Sequence, residues 1–296
     1  MKKNLIFTGS GVALVTPMLE NGDINYSKLQ ELIEYHINNN TDAIIIAGTT
    51  GESATLSEAE YSQLLTKAVE YANSKITIIA GAGSNCTAKA ILKSQQAKIA
   101  GVDALLIVTP YYNKTSQDGI LKHYFSIAES VNLPIILYNV PSRTGLNIEP
   151  ETYLKLSSHP NIVATKEANG DLSSIAKTIS LCSDNLAIYS GNDDQIVPIL
   201  SLGGKGVISV AANIIPSEIH NICEMFFNNK VLESRQLQIK FIPLINQLFS
   251  TVNPIPIKQA MNELNMNVGK CRLPLISMSE ETILSLQEVL KLYSLN

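Results

Sequence analysis

The stretch DALLIVTP (103–110) carries five consecutive apolar residues, Ala104 to Val108, with no polar residue alternating among them. This continuous pattern is typical of a strand buried on both faces, as in a parallel sheet covered by helices. Seven other short runs have the same character, so the sequence predicts eight buried strands. In chain order the runs are VALVT (12–16), DAIIIAG (42–48), ITIIAGAG (76–83), DALLIVTP (103–110), LPIILYN (133–139), NIVATKE (161–167), LAIYSGN (186–192) and GVISVA (206–211).

Helical segments with recognisable ends separate these runs. Ser57 and Glu60 have the spacing of a capping box, and Thr87 and Asp171 are N-cap candidates further along the chain. Pro216 suits the first turn of another helix. Strands that alternate with helices in this way predict a (β/α)8 TIM barrel, which typically needs about 250 residues. A doubly wound open sheet is the alternative, but it usually has fewer strands and a phosphate-binding fingerprint.

The strand pattern stops after residue 229. The remaining sequence predicts helices joined by proline-rich segments, of which NPIPIK (253–258) is the clearest. We therefore expect a catalytic barrel over residues 1–229 and a C-terminal helical extension over residues 230–296, packed on the barrel.

Composition narrows the class of protein. The 296 residues are 45% hydrophobic and 16% charged, with a net charge of −4, which gives no basic surface for nucleic acid or anionic lipid. No apolar run approaches the roughly 20 residues of a membrane span. The 4 cysteines are far apart and the 4 histidines are scattered, so we expect reduced thiols in a cytoplasmic protein, no metal site and no cofactor.

Reactive side chains cluster at the predicted strand ends. In a TIM barrel the reacting groups come from the C-terminal ends of the strands and the loops that follow them. The candidates at the ends of the second, fourth, fifth and sixth strands are Thr49 and Thr50 in GTTGES (48–53), Tyr111 and Tyr112 in TPYYNK (109–114), Tyr138 and Arg143 in LYNVPSRTG (137–145), and Lys166 in TKEANGD (165–171). Each has a plainer interpretation, such as a tight turn, a core tyrosine, a loop salt bridge or a solvated lysine. Their convergence on one face favours a site.

Lys166 is the centre of this candidate site. Burial disfavours the charged form of a lysine, and a neutral amine attacks ketones to form a Schiff base. That reaction needs proton transfers, and the hydroxyls of Tyr138, Thr49 and Tyr112 are suitable groups for a proton relay. The backbone of the Gly-Thr-Thr-Gly turn can hold one carboxylate, and the planar guanidinium of Arg143 can hold a second.

The five motifs GTTGES, TPYYNK, LYNVPSRTG, TKEANGD and NPIPIK, in this order, give the chain a family likeness. It resembles dihydrodipicolinate synthase, in the family of pyruvate-dependent class I aldolases that also contains N-acetylneuraminate lyase. The likeness covers essentially the whole chain. It implies condensation of pyruvate with L-aspartate-4-semialdehyde to 4-hydroxy-tetrahydrodipicolinate, on the route to diaminopimelate and lysine, by a homotetramer built from tight dimers.

The resemblance also implies a role for each site residue. Lys166 matches the Schiff-base lysine, Tyr138 the proton-shuttling tyrosine, and Thr49 the residue that joins it to Tyr112 of a neighbouring subunit. The remaining matches concern substrate binding. They are Thr50 for the pyruvate carboxylate, Arg143 for the carboxylate of the semialdehyde, and Gly191 and Ile208 for backbone positions that line the site.

One part of the family pattern is altered. Members inhibited by lysine carry two histidines and a glutamate around an allosteric pocket, and Glu58, Tyr61 and Lys89 stand at the corresponding positions here. Three further positions of that pocket do match, namely Ala54, Asn85 and Tyr111. A lysine where the effector's cation should bind introduces like charge, so we expect weak inhibition by lysine or none.

Two other functions compete with the synthase. A sister aldolase acting on a sialic acid or a 2-keto-3-deoxy sugar acid would share Lys166 and Tyr138, but Thr49, Tyr112 and Arg143 favour the synthase. A catalytically silent barrel that only binds a keto acid would need no proton relay.

Overall fold

The computed structural model describes residues 3–295. Within that range the strands form one closed, fully parallel barrel in which each strand pairs with the next and the last pairs with the first. The strands are β1 (Gly9–Ala13), β2 (Ala43–Ile46), β3 (Thr77–Gly81), β4 (Ala104–Val108), β5 (Ile135–Asn139), β6 (Ile162–Glu167), β7 (Ala187–Ser190) and β8 (Gly206–Ser209). This architecture confirms the predicted TIM barrel and excludes the open sheet.

The helices surround the barrel and continue beyond it. They are α1 (Tyr26–Asn38), α2 (Glu58–Ala72), α3 (Thr87–Ala100), α4 (Gln117–Ser130), α5 (Pro141–Thr144), α6 (Pro150–Leu156), α7 (Leu172–Cys182), α8 (Ile196–Ser201), α9 (Pro216–Phe227), α10 (Val231–Leu248), α11 (Ile255–Glu263) and α12 (Glu280–Leu292). In the C-terminal helical region, α10 packs on α8 and α9, while α12 packs on α10 and α11. No helix among residues 3–295 is long and apolar enough to cross a membrane.

Seven strands lie within their predicted runs. The exception is β1, which is shifted by three residues toward the N-terminus relative to the predicted run at 12–16. Gly9 and Gly11 lie outside that apolar run, yet both residues belong to the strand. Gly9 pairs with Gly206 of β8, and a Cβ on Gly206 would lie 1.9 Å from the carbonyl oxygen of Gly9. Glycine therefore permits the close approach of β1 and β8 that closes the barrel.

The helix ends confirm most of the predicted caps. Ser57 and Glu60 form the capping box of α2, and Asp171 accepts two backbone N–H groups at the start of α7. Pro216 is the first residue of α9. The prediction for Thr87 is wrong, because Cys86 is the N-cap residue of α3 and the hydroxyl of Thr87 is 2.9 Å from Nδ1 of His123 instead.

Two apolar layers enclose the strands. An inner cluster fills the barrel with side chains from successive strands, including Ile45, Leu106 and Ile136, and a larger outer cluster lies between the barrel and the helices. The pairing of β5 with β6 shifts register at Ile135 and Ile136, which is the mark of a β-bulge. Beyond that shift Tyr138 pairs with Lys166, so the two side chains lie beside each other.

His36 connects the fold to pH. It is fully buried in α1, its Nδ1 lies 2.9 Å from the Thr41 hydroxyl, and burial lowers its pKa to about 3. Below about pH 6.5 the unfolded chain takes up a proton that the folded chain refuses, so stability falls as the pH falls. We expect His36 to lower the free energy of unfolding by about 2 kcal/mol as the pH falls from 8 to 5. In His36→Asn that loss should be smaller by this amount, as measured by urea unfolding at fixed protein concentration.

His220→Asn is the control of opposite sign. The Asp42 carboxylate, 3.0 Å from Nδ1 of His220, raises the pKa of this histidine. His220 therefore stabilises the fold below its unfolded-state pKa, and this stabilisation is lost as the pH rises. In His220→Asn the free energy of unfolding should fall further between pH 8 and pH 5 than in the parent protein. Equal pH dependence in His36→Asn and the parent protein would contradict the assignment.

Candidate active site

A cavity of about 200 Å³ opens at the C-terminal ends of the strands. It brings together residues that are far apart in sequence, from the loop after β2 to the segment before α11. Six of the predicted site residues line it, namely Thr49, Thr50, Tyr138, Arg143, Lys166 and Gly191.

Lys166 lies near the end of β6 and is only 5% exposed. Its Nζ is 4.5 Å from the centre of the Tyr138 ring, a distance at which an ammonium group is attracted to the ring face. Among residues 3–295, no carboxylate forms an ion pair with this amine. The amine is therefore nearly out of water, held by an aromatic neighbour, and open to the cavity.

Thr49 and Thr50 form a turn directly after β2. The turn is bounded by two non-glycine residues in the left-handed region, Ala47 with φ of 54° and Glu52 with φ of 55°. Thr50 is buried, and its Oγ1 accepts a 3.0 Å hydrogen bond from Nδ2 of Asn253. The turn is thus held in a defined and locally costly conformation, in which Thr49 and Thr50 line the cavity.

Arg143 lies on α5, the short helix that follows β5. Its Nη2 donates a 3.0 Å hydrogen bond to the backbone carbonyl of Asn253, and the residue lines the cavity. The guanidinium carries further N–H donors that can bind a carboxylate.

Gly191 and Ile208 differ in their placement. Gly191 lines the cavity after β7, and its N–H donates to the carbonyl of Glu167 at 2.7 Å. A Cβ here would lie 2.7 Å from the Cβ of Ala168, so only glycine allows this approach. Ile208 is fully buried in the inner cluster of the barrel and is not among the lining residues of the cavity.

Tyr112 points away from the cavity of its own chain. It is 92% exposed and has a φ of 70°, whereas Tyr111 is less exposed. Tyr111 lines a second, adjoining cavity of about 330 Å³ together with Ala54 and Lys93. The relay predicted between Tyr138, Thr49 and Tyr112 is therefore not assembled within one chain.

Of the residues predicted to form a degenerate effector pocket, Ala54 and Tyr111 line the second cavity, whereas Tyr61 is not among its lining residues. Tyr61 is buried, and the ammonium of Lys93 lies 5.1 Å from the centre of its ring. Burial lowers the pKa of Lys93, while Glu58 raises it and Lys89 lowers it by weaker electrostatic effects. One cationic side chain of the protein itself is thus close to Tyr61, and Lys89 is near enough to Lys93 to affect its pKa.

Sequence reasoning missed the contribution of the C-terminal region. Phe249 and Asn253 line the cavity although they follow the barrel, and Asn253 contacts both Thr50 and Arg143. The available signal was NPIPIK (253–258), a motif of the resemblance that the sequence alone identified only as a joint between helices.

Two buried acids near Lys166 were also missed. Glu167 faces away from the cavity, where it accepts hydrogen bonds from Tyr153 and Asn139, and burial raises its pKa to about 7. Asp193 accepts the backbone N–H groups of residues 210 and 211. Burial raises the pKa of Asp193, while the nearby Lys166 lowers it.

A TIM barrel with a buried lysine beside a tyrosine at its carboxyl end has the arrangement of a class I aldolase, which reacts through a Schiff base. The sequence model of the dihydrodipicolinate synthetase family matches residues 6–293, and the chain belongs to this family. The 4-hydroxy-tetrahydrodipicolinate synthase of Clostridium perfringens (strain SM101) is 54% identical over 286 residues, covering 97% of this chain and 98% of that protein.

Solved structures agree in fold over nearly the whole chain. A chloride-inhibited dihydrodipicolinate synthase from Acinetobacter baumannii, complexed with pyruvate, matches with a TM-score of 0.96 at 41% identity, covering 98% of this chain and 99% of that one. A dihydrodipicolinate synthase from Cyanidioschyzon merolae with lysine bound matches with a TM-score of 0.96 at 40% identity, covering 99% of this chain and 100% of that one.

Proposed function

We propose that this protein condenses pyruvate with L-aspartate-4-semialdehyde to 4-hydroxy-tetrahydrodipicolinate through a Schiff base on Lys166. The observation that carries the proposal is the nearly buried Lys166 amine against the ring of Tyr138, at the wall of a cavity. The relatives named for this activity match the chain over almost its full length.

The first half of the reaction is imine formation. The Nζ lone pair of Lys166 attacks the ketone carbon of pyruvate, and net transfer of a proton from the nitrogen to the carbonyl oxygen gives a carbinolamine. A second proton lets that oxygen leave as water, and Tyr138 is the nearest phenol that can supply it. Loss of a proton from the methyl carbon then converts the iminium to an enamine.

The second half joins the two substrates. The enamine carbon attacks the aldehyde carbon of the semialdehyde, whose oxygen takes up a proton. The amino group of that substrate then displaces Lys166 from the imine, which closes the ring and frees the lysine. The Thr50 turn holds the pyruvate carboxylate, and Arg143 binds the carboxylate of the semialdehyde at the cavity wall.

Assembly completes the proton relay. The exposed Tyr112 would reach Thr49 of a neighbouring subunit, which supports a tight dimer within a homotetramer. We place the boundary between the catalytic barrel and the helical extension at residues 229 and 230, between α9 and α10. The 4 cysteines are unpaired, in keeping with a cytoplasmic protein.

Borohydride trapping tests the Schiff base. Reduction in the presence of pyruvate should add one carboxyethyl group per chain, and peptide mapping should locate it on Lys166. Lys166→Met should show no adduct, because no other lysine among residues 3–295 lines this cavity. Lys93→Met, which removes another partly buried lysine, should still be modified at Lys166. A parent protein that binds pyruvate without any adduct would be a silent keto-acid binder.

Replacement of Arg143 tests the choice of aldehyde. In Arg143→Ala the KM for L-aspartate-4-semialdehyde should rise by about 10- to 100-fold, because a charged hydrogen bond to its carboxylate is lost. The pyruvate concentration that half-saturates trapping should stay nearly constant. Arg235→Ala, on the exposed side of α10, serves as the control. An unchanged KM in Arg143→Ala would argue against this role.

Lysine should inhibit weakly or not at all at millimolar concentration. Lys93 places like charge beside Tyr61, where an effector's ammonium would have to bind, and Lys89 lies near Lys93. Initial rates measured with and without lysine should agree closely. Strong inhibition, with lysine bound beside Tyr61, would overturn this expectation.

A further inference from the structure

Glu52 is an unusual residue to find beside the substrate turn. It closes the Gly-Thr-Thr-Gly segment in a left-handed conformation with φ of 55°, and its side chain is only 1% exposed. A buried carboxylate and a strained backbone are each costly, and such a combination persists only when surrounding contacts impose it.

Lys258 supplies the main contact. Its Nζ lies 2.7 Å from Oε1 of Glu52, and its own side chain is only 2% exposed. The same ammonium donates to the carbonyl of Lys270 at 2.9 Å, and Oε2 of Glu52 accepts the backbone N–H of Arg272 at 2.8 Å. Both charged groups are therefore paired and hydrogen-bonded, although they are 206 residues apart in sequence.

The segment that carries Lys258 also holds the other side of the turn. Asn253 precedes α11, and its Nδ2 donates to Oγ1 of Thr50 while its carbonyl accepts from Arg143. The N–H of Lys258 donates to the carbonyl of Pro254, so Asn253 and Lys258 flank the first turn of one helix. Asn253, just before α11, and Lys258, within α11, thus contact Thr50 and Glu52 at the same time.

We propose that Lys258 and Glu52 are positioning residues, whose ion pair fixes the Thr49–Thr50 turn in the geometry that receives the substrate carboxylate. The identity of that carboxylate rests on the proposed function. Stability alone is a weak reason for this pair, because a buried ion pair can often be replaced by neutral side chains of similar size without loss of stability. A fixed turn beside the reacting lysine is a stronger one, since displacements of about 1 Å can cost a site up to 100-fold.

The double variant Glu52→Gln/Lys258→Met tests the proposal, because it removes both charges together and leaves no unpaired ion. Pyruvate trapping by borohydride should need about tenfold more pyruvate for half-saturation. Lys166 should still be modified at saturating pyruvate, because the amine itself is untouched. The KM for pyruvate should follow the same change, with a smaller effect on kcat.

Met261→Ala is the matched control. Met261 is fully buried on the same helix, so its truncation destabilises α11 without removing the ion pair. Its half-saturating pyruvate concentration should equal that of the parent protein. An unchanged value in the double variant, or an equal rise in Met261→Ala, would overturn the positioning role. If the double variant does not fold, Glu52→Asp decides, since it keeps both charges and only draws the carboxylate back. A rise in the half-saturating pyruvate concentration of Glu52→Asp supports the proposal, and an unchanged concentration overturns it.

Hydrogen exchange separates this proposal from the proposed function. The peptide covering residues 48–53 should exchange faster in the double variant than in the parent protein or in Met261→Ala. Faster exchange together with a parent protein that traps no pyruvate would sustain the positioning role and reject the function. Equal exchange in all three proteins would reject the positioning role, whatever the activity.

Discussion

The removal of one lysine amine from water is the constraint on which this structure depends. Lys166 lies near the end of a strand that forms part of the wall of a closed barrel, and its Nζ is 4.5 Å from the centre of the Tyr138 ring. A register shift between β5 and β6 places the two side chains beside each other. A parallel barrel suits this arrangement, because its interior is packed and its strand ends open into loops.

The C-terminal region belongs to the candidate active site as much as to the scaffold. Asn253 links the turn that carries Thr50 to Arg143, and Lys258 pairs with Glu52 on the far side of the same turn. The loops that line the cavity are thus held in place by contacts with the later helices. This explains why a segment outside the eight βα units carries one of the motifs of the family likeness.

Much of the fold could be predicted from local pattern, since continuous apolar runs mark buried parallel strands and most helix caps are local. The failures arose where tertiary contacts override local preference. The first strand begins at Gly9, before its apolar run, because glycine allows close strand approach there, and the hydroxyl of Thr87 contacts His123 instead of capping its helix. The site residues at strand ends could be identified by chemical type. Asn253 could not, because its contact with Thr50 spans 203 residues, and its motif NPIPIK by itself indicates only a joint between helices.

The most direct measurement is the formation of product from pyruvate and L-aspartate-4-semialdehyde, followed by absorbance with the parent protein and with Lys166→Met. We expect product formation that requires both substrates and is lost in Lys166→Met. Absence of product with both substrates present, together with cleavage of a sialic acid or a 2-keto-3-deoxy sugar acid, would contradict it.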